Sequence, residues 1–236
     1  MKASLITPQE LDADCIRRWE ELRATNPVYE SPFYSPQFEL AVGEVRRDAQ
    51  VAIFEQDGQI TGFLPFHRVR GRIAKPIGGH LNDYHGAILV PGLLLSDPGL
   101  LKAAGLDAYD FDHLPQQFGG GLNATDVGEA SPQMDLSMGY GDCIAAKGES
   151  WKRGQRDMAR KSRKMERELG PIRFELSSRS SDLFELHGEM RNALYRRMGL
   201  RADYGTGWDG EVLRSFHNSD SPGFRSLLSV LFTDSR

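Results

Sequence analysis

The sequence predicts a mixed α/β (α+β) protein, with helices flanking a mixed sheet. Three observations carry this. A capped amphipathic helix opens the chain. A β-hairpin with an Asp-Gly turn follows near residue 57. A long basic helix then leads into a short strand after residue 170.

At the N-terminus, Thr7 precedes Pro8, and Glu10 lies three residues on. This is the pattern of a capping box with proline at the first helical position. Leu11, Cys15, Trp19 and Leu22 recur at helical spacing, and Asn26-Pro27 ends the run. The aromatic, proline-rich stretch Ser31 to Pro36 predicts a loop before a short helix from Gln37 to Val45. Residues 50–56 are rich in β-branched and aromatic side chains. Asp57-Gly58 supplies the left-handed residues of a tight turn, and 59–68 reads as the return strand. Ile73–Ile77, Ala87–Val90 and Tyr109–Leu114 read as further strands, and 93–106 as partly helical. The stretch 115–129 reads as a glycine-rich loop.

The second half opens with a helix over 150–169. Its apolar stripe is Trp151, Met158, Met165 and Leu169, and Gly170-Pro171 ends it. Ile172–Leu176 reads as a strand. Asp182 opens a helix whose apolar face is Leu183, Leu186, Met190 and Leu194. A short helix over 211–217 and a strand over 225–233 complete the reading. A division near Gly148 separates residues 1–148 from 149–236.

Charge follows that division. The net charge is −4, but residues 1–150 hold 12 Lys+Arg against 21 Asp+Glu, and residues 151–236 hold 17 against 12. Residues 151–168 alone carry 8 basic and 3 acidic side chains. An anionic partner for the second half is expected. Overall acidity and the lack of a nucleic-acid fold signature argue against nucleic acid. The longest apolar run, 87–95, is broken by Pro91 and Gly92, far short of the roughly 20 residues of a membrane span. No signal-peptide pattern opens the chain, so a cytoplasmic location is expected. Contact with a membrane surface stays open, as does the oligomeric state. The two cysteines, Cys15 and Cys143, sit in no metal-binding pattern and read as reduced thiols.

Three clusters could carry chemistry. The densest is Gly78-Gly79-His80-Leu81-Asn82-Asp83-Tyr84-His85. Asp83 could orient or deprotonate an amine or hydroxyl, with His85 or His80 as the alternative base, Tyr84 as an acceptor contact and Asn82 as a binding residue. An Asx turn, with Asn82 and Asp83 bonding their own backbone, explains the same residues structurally. A metal on His80, Asp83 and His85 lacks a fourth ligand, and no metal is expected. The second cluster is the basic helix, where Arg156, Arg160 and Lys164 could grip phosphate groups or face solvent. In the third, Arg191 and Tyr195 share a helix face four residues apart. Gln116–Gly121 matches a phosphate-cradling turn, although the residues after it make a poor helix. His113, His187 and His217 are scattered and make no triad.

The hairpin and the loop after it, with Gly62-Phe63-Leu64-Pro65-Phe66, Pro76-Ile77-Gly78-Gly79 and Asn82-Asp83-Tyr84, resemble CelD/BcsL-type acetyltransferases. Trp19, Ser35-Pro36 and the basic stretch 158–169 add to the likeness. These proteins are related to the Fem-type aminoacyl transferases. The resemblance implies tandem GNAT-like units, with the second incomplete because the chain ends on a strand with no partner strand after it. A truncated chain is the expectation. It implies an N- or O-acyltransferase using acyl-CoA (acetyl-CoA) as co-substrate, acting on a small-molecule, polysaccharide or cell-envelope precursor. It also implies that the loop holding Asp83 faces the acceptor, and that the helix of Arg191 and Tyr195 faces the substrate cleft. The cofactor-binding residues are left unassigned. The alternative is a non-catalytic module that docks an anionic partner through its basic helix.

Overall fold

A computed structural model describes residues 1–118, 130–132, 134–219, 221 and 223–234. In chain order the regular elements begin with β1 (Lys2–Ile6), α1 (Ala13–Arg23), α2 (Pro36–Val45), β2 (Ala49–Gln56), β3 (Gln59–Arg70) and β4 (Ile73–Pro76). There follow β5 (Ile88–Leu89), α3 (Pro98–Ala103), β6 (Ala108–Tyr109), α4 (Tyr140–Ala146) and α5 (Glu149–Leu169). The last are β7 (Ile172–Glu175), α6 (Ser181–Arg197), α7 (Trp208–Asn218) and β8 (Val230–Thr233). The chain forms two compact units, each discontinuous in sequence. One comprises 1–125 with 180–226, the other 126–179 with 227–236. The single boundary expected near Gly148 differs from this partition.

The first unit is a mixed sheet flanked by helices. Its strand order is β1-β2-β3-β4-β6, with β5 on the side of β3. Every pairing is antiparallel except β4 with β6. The β2–β3 turn has Asp57 and Gly58 both at positive φ, as a tight hairpin requires. Successive residues of β2 point to opposite faces, and both faces are covered. Val51 and Ile53 join Trp19, Leu22, Tyr34 and Phe63, while Ala52 and Phe54 join Leu64, Phe66, Leu100 and Leu106. This is why the strand reads as a continuous apolar run instead of alternating with polar residues. Trp19 is fully buried, stacks on Phe63 at 4.6 Å, and donates its indole N–H to the Tyr34 carbonyl at 2.8 Å.

Several expectations need correction. The capping box at Thr7 and Glu10 forms, but it closes a single 3-10 turn over Pro8–Glu10. The first α-helix starts later, capped by the Asp12 carboxylate on the Cys15 N–H. β1 was not expected. It is an edge strand with few β-branched residues, so its own sequence signals it weakly. The strand expected over 109–114 pairs only through Ala108 and Tyr109. Its neighbour β4 ends at Pro76, which has no N–H to extend the ladder. The apolar face expected for α6 is wrong: Leu186, Met190 and Leu194 are exposed. The helix instead turns Phe184 onto His217, with ring centroids 4.9 Å apart, and the Asn192 amide onto the Tyr204 backbone, where it makes two bonds of 2.9 Å.

In the second unit, β7 and β8 pair antiparallel from Ile172↔Thr233 to Glu175↔Val230. The closing strand therefore has a partner, which the sequence reading did not foresee. The Arg173 guanidinium covers the Phe232 ring at 3.9 Å. α5 ends at Gly170, whose φ of 86° few other residues tolerate. α5 buries none of its residues, so Trp151, Met158 and Leu169 of its apolar stripe lie exposed.

Glu39 of α2 sits in the first unit's core with no accessible surface. Neither carboxyl oxygen has a hydrogen-bond partner among the described residues. Burial pushes its carboxyl well above the ordinary value of 4.5. The folded state therefore keeps this proton while the unfolded chain releases it. The favourable term is complete below about pH 4.5 and shrinks as pH rises towards the folded value. A Glu39→Gln variant cannot ionise. Chemical denaturation from pH 4 to 8 should show wild type losing stability relative to it as pH rises; a constant difference would contradict this.

Candidate functional site

The loop after β4 is built by two glycines. Gly78 has φ 79°, and a side chain there would meet the Phe38 ring at 2.6 Å. Gly79 has φ 50° and starts a 3-10 turn that ends at Leu81. Asn82 is buried. Its amide donates to the Ile77 carbonyl at 3.0 Å, and its oxygen accepts the Tyr84 N–H at 2.8 Å. This is the Asx turn, so Asn82 shapes the loop and offers little to a substrate. Asp83 is exposed and makes no hydrogen bond or ion pair to a described residue. Tyr84 is half-buried against Phe33 and Tyr34. His85 is buried, with Nε2 on the Asn82 carbonyl at 2.9 Å and Nδ1 accepting the His113 N–H at 3.1 Å. With both ring nitrogens engaged, it is poorly placed to act as a base on a substrate.

His80 is the loop's accessible histidine. Its side chain is 63% exposed, and Nε2 lies 3.4 Å from Oδ2 of Asp209, itself only 7% exposed. Asp209 lies in the first turn of α7, where the helix dipole favours a negative charge. Its carboxylate folds back onto the N–H groups of Gly205 at 2.8 Å and Gly207 at 3.1 Å. Burial alone would raise this carboxyl, but these donors, with His80, outweigh it and hold it below the usual range. The tight turn requires Gly210, since a Cβ there would sit 2.0 Å from the Gly205 carbonyl oxygen.

This pair borders a pocket of about 340 Å³, lined also by Tyr195, Arg201, Asp203, Tyr204 and Trp208. The Arg46 guanidinium lies over the Trp208 ring at 4.9 Å and is itself paired with Asp48 at 2.8 Å. His80 meets the Trp208 ring edge-on at 5.6 Å. Two of the lining residues are braced by Arg191, which does not itself line the pocket: it donates to the Tyr195 hydroxyl at 2.7 Å and lies over the Tyr204 ring at 4.8 Å. Arg201 pairs with Asp203. The site can polarise a hydrogen-bonding group at His80 and offers one guanidinium group, that of Arg201, for an anionic one.

The structure brings together one expected alternative, His80, with one of the expected pair, Tyr195; Arg191 bonds to Tyr195 but does not line the pocket. Asp83, Tyr84, His85 and Asn82 do not line this pocket. Arg156, Arg160 and Lys164 belong to the other unit. They are exposed and face acids of their own helix: Glu149 at 3.7 Å, Asp157 at 2.6 Å and Glu168 at 3.7 Å. Of the glycine-rich pattern, Gln116–Phe118 forms one 3-10 turn, and 119–121 lie outside the described residues. Both cysteines are free. Among the described residues, no helix is long and apolar enough to cross a membrane. Sequence reasoning missed Asp209, Trp208 and Arg201. The available signal was Gly205-Thr206-Gly207-Trp208-Asp209-Gly210, where three glycines around an acid mark a turn that caps a helix. Compared with protein-family models, curated proteins and solved structures, the chain matches none.

Proposed function

We propose that the first unit carries an acyltransferase site that uses acyl-CoA to acylate an amine or hydroxyl. The observation that carries this reading is the exposed His80 imidazole set against the buried, hydrogen-bonded Asp209 carboxylate at a pocket. A carboxylate that orients an imidazole and stabilises its protonated form is a recurring base arrangement in acyl transfer. An acyl thioester brings a carbonyl that is already activated, so the protein's main tasks are to position the acceptor and take its proton. Asp209 accepts Nε2–H, leaving Nδ1 of His80 as the base. Arg201 would hold an anionic group of the acceptor, in keeping with a sugar-phosphate or other cell-envelope precursor, while Arg191 would position Tyr195. The likeness to CelD/BcsL-type acetyltransferases supports the same chemistry and a tandem GNAT-like arrangement.

The test is a calorimetric titration of the full chain with acetyl-CoA, followed by an assay for free CoA thiol with amine and hydroxyl acceptors. Saturable binding below about 1 mM and acceptor-dependent thiol release are expected. No binding at millimolar acetyl-CoA would reject the reading for this chain.

A further inference from the structure

A second polar cluster lies in the first unit, where His85 meets the turn Asp112-His113. None of the three borders the pocket described above. We propose that His85, Asp112 and His113 form a binding site for a divalent cation of the zinc class, with water completing the coordination.

One donor atom from each residue lies within 4.8 Å of the other two. Oδ1 of Asp112 is 3.2 Å from Nδ1 of His85 and 3.0 Å from Nδ1 of His113. Ligand atoms about 2.0–2.1 Å from a tetrahedral zinc ion stand roughly 3.3 Å apart, so these two separations need little adjustment. The imidazole planes are 78° apart, with centroids at 5.3 Å, which allows both to turn a nitrogen to one point. His85 carries the support that a metal-binding histidine usually has. Its Nε2–H is committed to the Asn82 carbonyl at 2.9 Å, which fixes the tautomer and leaves the Nδ1 lone pair facing the cluster. Burial favours the neutral imidazole, the form that ligates metals.

Without a cation, that lone pair faces a carboxylate oxygen, two acceptors in near contact. The N–H groups of His113 and Asp112 offset this, at 3.1 and 3.4 Å from the same nitrogen. A metal ion would displace them, which sets affinity below that of a dedicated structural zinc site. His113 and Asp112 have side chains 54% and 77% exposed, so an ion can enter from solvent.

The experiment uses the full chain, stripped with chelator and dialysed, then titrated with Zn²⁺ by calorimetry and with Co²⁺ by visible absorption. One equivalent is expected to bind in the micromolar range, and Co²⁺ to give the intense visible bands of a four-coordinate site. His113→Ala and Asp112→Asn change exposed side chains and should fold normally by circular dichroism, yet each should weaken binding at least tenfold. Absence of saturable binding below about 1 mM overturns the proposal, as does unchanged affinity in either variant.

Discussion

Replacing His80 with Gln should lower kcat/KM for acyl transfer by about 10²–10⁴-fold, the usual contribution of a positioned general base. Folding should be unaffected to within about 0.5 kcal/mol, because the side chain is largely exposed. Asp209→Asn should give a loss of similar size for another reason. The amide can no longer present a carboxylate oxygen to His80 while also accepting both the Gly205 and Gly207 N–H bonds, since its NH₂ group accepts neither. This variant should also lose about 1–3 kcal/mol of stability, since a buried donor is left unpaired. If the two residues act as one unit, the double variant should be little worse than either single variant. Multiplying losses would mean that they serve the reaction separately. A rise in KM alone, with kcat intact, would assign His80 to binding.

Trp19→Ala should cost about 3–5 kcal/mol, measured as a lower denaturant midpoint. The indole is enclosed on all sides, its stacking on Phe63 is lost, and the Tyr34 carbonyl loses its donor in a buried setting. Against a typical total of about 5–15 kcal/mol, this is enough to leave the first unit partly unfolded. Trp19→Phe keeps most of the apolar volume but not the hydrogen bond, and should cost less. Equal effects from the two variants would show that the bond, and not the packing, dominates.

The hairpin was legible because its signal is local: Asp57-Gly58 dictates the turn, and the flanking residues dictate the strands. α5 was legible for the same reason, from its spacing and the Gly170-Pro171 stop. What the sequence concealed depends on distant partners. His80 and Asp209 are separated by 129 residues, and no local pattern links them. The loop from Gly78 to His85 was marked correctly as a polar cluster, but its members could not be ranked. Asn82 and the Nε2–H of His85 hold the loop, and only the fold reveals this. The face of α6 was misread because apolar periodicity usually marks the buried side. Here ring stacking at Phe184 and the paired bonds of Asn192 to Tyr204 set the rotation instead. β1 escaped notice because an edge strand of five residues is defined by the strand beside it.

In the proposed reaction His80 draws a proton from the acceptor while the acyl group leaves its thioester. It is tested most directly by following CoA thiol release with time, with and without acceptor, in wild type and in His80→Gln. Wild type should release thiol in an acceptor-dependent way, and the variant at least a hundredfold more slowly. Equal release by the two proteins, or none by wild type with any amine or hydroxyl acceptor, would contradict it.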